Sequence, residues 1–151
     1  MKKSNIILCS VIFALTAAVI VLGVLHWRSL PKSNDGFTVK INGEEYNVGQ
    51  DVLQSIGIID FTAKKKNVET KYQGVPWLAL AEKLDIKTDG AKSCVAKASD
   101  GYVSAVPIAK MNQPDNVYIA ITEEDGPFLL VIKNDAFSQY WCKHLVEMSF
   151  Q

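Results

Sequence analysis

Apolar positions follow two regimes along this chain. Residues 6–25 form a run of 20, IILCSVIFALTAAVIVLGVL, with no charge and only Ser10 and Thr16 as polar side chains. At about 1.5 Å per residue, such a helix spans roughly 30 Å, the thickness of a hydrocarbon core. Beyond residue 36 the apolar segments are short and separated by turn residues. Phe37, Val39 and Ile41 alternate with polar neighbours, the period of a half-buried strand. Asn42-Gly43 is a tight-hairpin pair, and residues 45–48 form the return strand. Asp51 is placed to cap a short helix reaching Ile56. Residues 59–65 and 68–72 read as strands around a lysine turn. Gly74-Val75-Pro76 then opens a helix with Pro76 at its first position and Trp77, Leu78, Leu80, Ala81 and Leu84 as its apolar face. Residues 93–98, 102–106, 117–122 and 128–132 read as further strands, with Pro107 stopping the second of them. Ser99-Asp100-Gly101 and Glu124-Asp125-Gly126 supply turns, and Val146, Met148 and Phe150 alternate in a last strand. The pattern predicts a mixed, strand-rich α+β domain with short helices, preceded by one N-terminal transmembrane helix.

A length of 151 residues allows one domain with a short appendage. The expected division is a signal anchor over 1–29, a polar linker over 30–36 and a folded domain over 37–151. The apolar run exceeds the roughly 7–15 residues of a signal-peptide core, which favours an uncleaved anchor. Thr16-Ala17-Ala18 is nonetheless a tolerable small-residue cleavage site, which leaves a secreted form open. Lys2 and Lys3 precede the run, and Arg28 and Lys32 follow it. That weak bias puts the N-terminus inside and the C-terminal domain outside the cell membrane, with Trp27 at the interface. Cys9 follows Ile6-Ile7-Leu8, without the small residue expected before a lipidated cysteine, and reads as an ordinary apolar residue.

Charge sharpens this division. The chain is formally neutral, yet its first 32 residues carry four basic groups and no acid, and the rest carries 12 lysines against 16 acids. An acidic domain has no electrostatic footprint for nucleic acid. Lys64-Lys65-Lys66 could touch anionic lipid, but a solvated hairpin turn explains it as well and more simply.

Candidate chemistry is sparse. The chain has no CxxC, HExxH or GxSxG pattern and no phosphate loop. His144 is the domain's single histidine, and without a partner motif it reads as structural before catalytic. Glu123-Glu124-Asp125 could hold Ca²⁺ weakly, but no EF-hand spacing follows and a solvated turn is expected. Tyr102, Tyr118, Tyr140 and Trp141 could line a groove, with packing as their default role. Cys94 and Cys142 could pair in an oxidising compartment. Cys94 alternates with Ala96 and Ala98, however, which favours two buried free thiols.

Three segments in order resemble the oxidoreductase molybdopterin-binding domain, the sulfite oxidase-type fold. Tyr72-Gln73-Gly74-Val75-Pro76-Trp77-Leu78-Ala79-Leu80 is similar to its Y-x-G-V-P-L-x-x-L stretch. Ala98-Ser99-Asp100-Gly101-Tyr102 is similar to its A-S-D-G-Y turn. Residues 126–132 and 141–148, GPFLLVI and WCKHLVEM, are similar to its G-P-L-R-L-V-V and W-V-K-N-L-V-x-I segments, with Cys142 where that pattern has valine. The resemblance implies a pterin-binding fold, with Ser99, Asp100, Tyr102, Trp141 and His144 as ligand-binding candidates. In the catalytic members a molybdenum-ligating cysteine precedes the G-V-P helix. Here residues 59–67 read IDFTAKKKN, without cysteine, and the chain's one arginine is Arg28. Lysine does not reproduce the bidentate fork that arginine offers to phosphate. The expectation is therefore a degenerate member: a membrane-anchored, bacterial-type extracytoplasmic module that binds a small molecule or a membrane protein partner, without cofactor. The alternatives are a divergent molybdopterin-dependent oxidoreductase and a subunit of a membrane redox complex.

Overall fold

The alternation at Phe37, Val39 and Ile41 produces strand β1 (Gly36–Ile41), whose three apolar side chains are buried while its polar neighbours are half-exposed. Asn42 and Gly43 both take positive φ, 51° and 83°, as a tight hairpin turn requires. The chain returns as β2 (Glu44–Gly49), paired antiparallel with β1. This structure, a computed structural model, describes residues 36–135 and 137–151. The apolar run, the expected anchor over 1–29 and the linker as far as residue 35 lie outside the described residues. Gly36, placed at the linker's end from sequence, already belongs to β1. Among the described residues, no helix is long and apolar enough to cross a membrane.

The remaining strands are β3 (Ile59–Lys65), β4 (Val68–Pro76), β5 (Ser93–Ala98), β6 (Val103–Pro107), β7 (Val117–Ile121), β8 (Phe128–Ile132) and β9 (Leu145–Phe150). Three short helices punctuate them: α1 (Gln50–Ile56), α2 (Trp77–Lys83) and α3 (Ile108–Met111). Two sheets form, one of order β2-β1-β9-β5-β6 and one of order β3-β4-β7-β8. Only β1 and β9 pair in parallel, and every other pair of neighbouring strands is antiparallel. One apolar core draws side chains from both sheets. Phe37 of the first meets Phe128 of the second edge to face at 5.3 Å, and Trp77 of α2 stacks on Phe150 at 5.0 Å. The strand-rich α+β class with short helices is thus present.

Several local expectations are corrected. Asp51 does not cap α1: Gly49 holds that position without a side-chain bond, and Asp51 sits inside the first turn. Gly74 and Val75 do not open a helix but extend β4 against β7. A Cβ on Gly74 would lie 2.2 Å from the Ile119 carbonyl oxygen, so close strand approach explains the glycine. Pro76 ends β4 and stands just before α2, at φ −59° and ψ 135°, so the helix begins at Trp77. Leu78 of the expected apolar face is exposed. Pro107 closes β6 and precedes α3, a helix too short to show periodicity. In β9 the buried set is Leu145, Met148 and Phe150, while Val146 turns outward. There Lys97 pairs with Glu147 and Ala98 with Leu145, so Val146 is the extra residue of a bulge that shifts the alternation by one.

Candidate functional site

Three turns converge on one cleft. The β3–β4 turn places Lys66 and Asn67 in the left-handed region, at φ 50° and 67°, and carries Lys65 and Lys66 to the surface. The turn after β5 is closed by the Tyr102 backbone N–H, which donates to Asp100 Oδ1 at 2.9 Å. The connection from β8 to β9 is pinned at several points. The Tyr140 N–H donates to Asp135 Oδ2 at 2.7 Å, Trp141 Nε1–H to the Ile132 carbonyl at 2.9 Å, and the Ser138 N–H to the Asp135 carbonyl at 3.1 Å. The Tyr102 hydroxyl donates to the Gln139 carbonyl at 3.0 Å and ties the last two segments together.

The cleft between them has a volume of about 400 Å³. Lys65, Lys66 and Lys143 line it, together with Asp100. Tyr102, Phe137, Ser138 and Trp141 complete the lining. Phe137 is 73% exposed, the most exposed of the large apolar side chains described. The Ser138 Oγ is buried and has no hydrogen-bond partner among the described residues.

Asp125 organises the cations. Its carboxylate is buried and accepts from Lys65 Nζ at 2.9 Å and Lys143 Nζ at 2.5 Å. Burial pushes this carboxyl up, but the bonds from Lys143 and Lys65 together outweigh it and hold the group below the usual carboxylate range. Lys65 is held above its ordinary value by its bond to Asp125, against the opposing effect of burial. The expectation of a solvated acidic turn therefore fails at Asp125, although Glu123 and Glu124 are exposed. The Thr122 hydroxyl sets this turn by accepting from the Glu124 and Asp125 N–H groups at 3.2 and 3.4 Å.

The sequence candidates divide between the cleft and its supports. Asp100, Tyr102 and Trp141 share the cleft. Ser99 and His144 are joined through backbone, the Ser99 N–H donating to the His144 carbonyl at 2.9 Å. His144 takes φ 50°, donates its N–H to the Asp125 carbonyl at 2.8 Å and packs on Gly126, where a Cβ would lie 2.4 Å from its Nδ1. It is a turn residue that locks Asp125 in place. Trp141 presents little of itself, at 5% exposure, and packs edge to face on Tyr72 at 5.8 Å. Tyr118 stacks on Phe61 at 4.1 Å and hydrogen-bonds Asp115, away from the cleft lining. Sequence reasoning did not select Lys143, Phe137 or Ser138. A lone large apolar residue in the polar stretch Asn134-Asp135-Ala136-Phe137-Ser138 is the signal that could have found Phe137.

Cys94 lies in β5, and Cys142 bridges to Leu130 of β8 through backbone bonds. Both sulfurs are buried and free. Burial pushes the Cys94 thiol to about 12, aided by the nearby Cys142, and the Cys142 thiol to about 11, aided by Asp100. A soft metal site needs thiolate, and both environments oppose it. Among the described residues, no group of three His, Cys, Asp or Glu side chains is placed to hold a metal ion, and positions 36–151 contain no arginine. This donor set does not fit a thiolate-ligated molybdenum centre with a phosphate-bearing pterin. Comparison with protein-family models and with curated proteins finds no match to the chain.

Proposed function

We propose that the chain is a membrane-anchored extracytoplasmic binding module, built on a degenerate sulfite oxidase-like fold, that takes a small molecule without performing chemistry on it. The observation that carries the binding role is the cleft itself, where three lysines and the exposed Phe137 and Tyr102 converge. Its volume of about 400 Å³ falls in the range of small-molecule sites. Ring exposure at Phe137 and Tyr102, 73% and 46%, leaves apolar surface for a ligand to cover. The apolar run over residues 6–25 supports the anchor, and the charges flanking it support the outward placement of the domain. The donor set argues against the molybdopterin-dependent alternative.

Saturation-transfer NMR on the full chain in detergent micelles, with empty micelles as the blank, tests the binding role. The probes are benzyl alcohol, benzylamine, benzoate and phenyl phosphate, one neutral, one cationic and two anionic. At least one should bind with Kd near or below about 1 mM, the affinity expected of fragments this small. That signal should vanish in the Tyr102→Ala/Phe137→Ala double variant. Silence from all four would overturn the reading.

A further inference from the structure

On the footing that the cleft is a binding site, we propose that it selects a small aromatic oxyanion, a flat ring bearing a carboxylate or phosphate, with the headgroup on the lysines and the ring against Phe137 and Tyr102.

The charge pattern points to an anion. Asp125 gathers Lys65 and Lys143 by accepting one bond from each ammonium. An ammonium has three N–H donors, so both keep donors beyond those given to Asp125. One buried carboxylate between two cations leaves the trio net positive. Lys66 adds a third ammonium to the lining and makes no ion pair among the described residues. Opposing these are Asp100 in the lining, with Oδ1 engaged by the Tyr102 N–H, and the exposed Glu124, whose field reaches Lys65. The cleft lining itself thus holds three lysines against the single carboxylate of Asp100, a locally positive surface for an incoming anion. Lysines act as point charges rather than planar forks, so they attract a carboxylate or phosphate without fixing its orientation, and the rings are left to orient the ligand.

The rings point to a flat ligand body. Tyr102 is held by its bond to the Gln139 carbonyl, and the backbone around Phe137 by the Asp135 bonds to Ser138 and Tyr140, so both rings stand on pinned supports. Exposed rings on supports held this way offer faces on which a flat partner can stack. Ser138 follows Phe137 in sequence and lines the same cleft, in a left-handed conformation at φ 56°, and its hydroxyl is buried without a partner among the described residues.

Calorimetric titration of the full chain in micelles decides the class. The probes are phenyl phosphate, benzoate, inorganic phosphate, acetate, benzyl alcohol and benzylamine. At least one aromatic anion should bind about tenfold tighter than its bare headgroup and than benzyl alcohol. The preference between phenyl phosphate and benzoate then tells phosphate from carboxylate. Lys66→Gln, an exposed turn substitution, should weaken that binding several-fold, Lys143→Gln likewise, and added salt should weaken it further. Equal binding of benzyl alcohol or benzylamine would overturn anion selection while leaving the cleft a binding site. Equal binding of inorganic phosphate or acetate would overturn the aromatic half. Binding untouched by either lysine substitution would place the anion elsewhere and overturn the assignment, and failure of every probe would overturn both this inference and the binding role.

Discussion

The β7–β8 hairpin and the cleft rim are built from opposite materials. In β8 all five residues are buried, and in β7 four of five. They pair in register from Val117↔Ile132 to Ile121↔Phe128 with no titratable side chain except that of Tyr118. The rim, by contrast, consists of turn residues, positive-φ positions at Lys66, Ser138 and His144, and charges gathered on a single buried carboxylate. The hairpin owes its place to apolar area removed from water, the rim to hydrogen bonds that position side chains facing water. Removing a side chain should therefore cost stability in the first region and binding in the second.

The largest effect is expected at Leu130. It is fully buried, its N–H donates to the Cys142 carbonyl at 2.9 Å, and it sits opposite Ile119. Leu130→Ala leaves a cavity in a region held on both sides, and should cost about 3 kcal/mol by denaturant unfolding of the full chain in micelles. A loss below about 1 kcal/mol would mean that the hairpin collapses easily around the gap and is not the rigid centre of the fold.

Asp125 tests the seam between the two regions. Asp125→Asn removes the charge that holds two ammonium groups and should cost about 2 kcal/mol at neutral pH. Its folded-state carboxyl is held below the ordinary value near 3.9, so its contribution is present above about pH 4 and disappears as pH falls through the lower folded value. Lys65 is raised, so its share is present below its ordinary value near 10.4 and disappears as pH rises past that, through the higher folded value. The gap between wild type and variant should therefore be flat from about pH 5 to 9 and close toward acid. A gap that stays constant down to about pH 2 would show that the trio contributes no charge-dependent stability.

Legibility in the sequence follows the same divide. Strands β1, β5, β7 and β8 were readable because apolar alternation or an unbroken apolar run is a local property of four to seven residues. Gly74 was misread because its reason is the Ile119 carbonyl, 45 positions away in the chain and on the neighbouring strand. Val146 was misread because a bulge at Lys97/Ala98 shifts the register by one. The cleft was half legible. Asp100, Tyr102 and Trp141 were picked out by resemblance and aromatic character, whereas the bond from Lys65 to Asp125, which gathers Lys143 as well, spans 60 positions and leaves no local pattern. Cys94 and Cys142 showed only their small apolar character, and burial in a strand and beside Leu130 is what gives each thiol its high pKa.

Phe137 should show the smallest stability effect and so sharpen the contrast most. Its ring is 73% exposed, so truncation returns little apolar area to water. The backbone beneath it is held by groups that Phe137→Ala leaves untouched: the Asp135 carboxylate bonded to the Tyr140 N–H, and the Ser138 N–H bonded to the Asp135 carbonyl. The unfolding free energy of Phe137→Ala should therefore lie within about 0.5 kcal/mol of wild type, as for surface substitutions generally. Binding of the preferred aromatic anion should fall several-fold in the same variant, because the ring that would stack on it is gone. A stability loss above about 1.5 kcal/mol would show that Phe137 plugs the core from outside. The rim would then be a continuation of the packed interior, and the division between a region that holds the fold and a region that meets a ligand would fail at its most exposed residue.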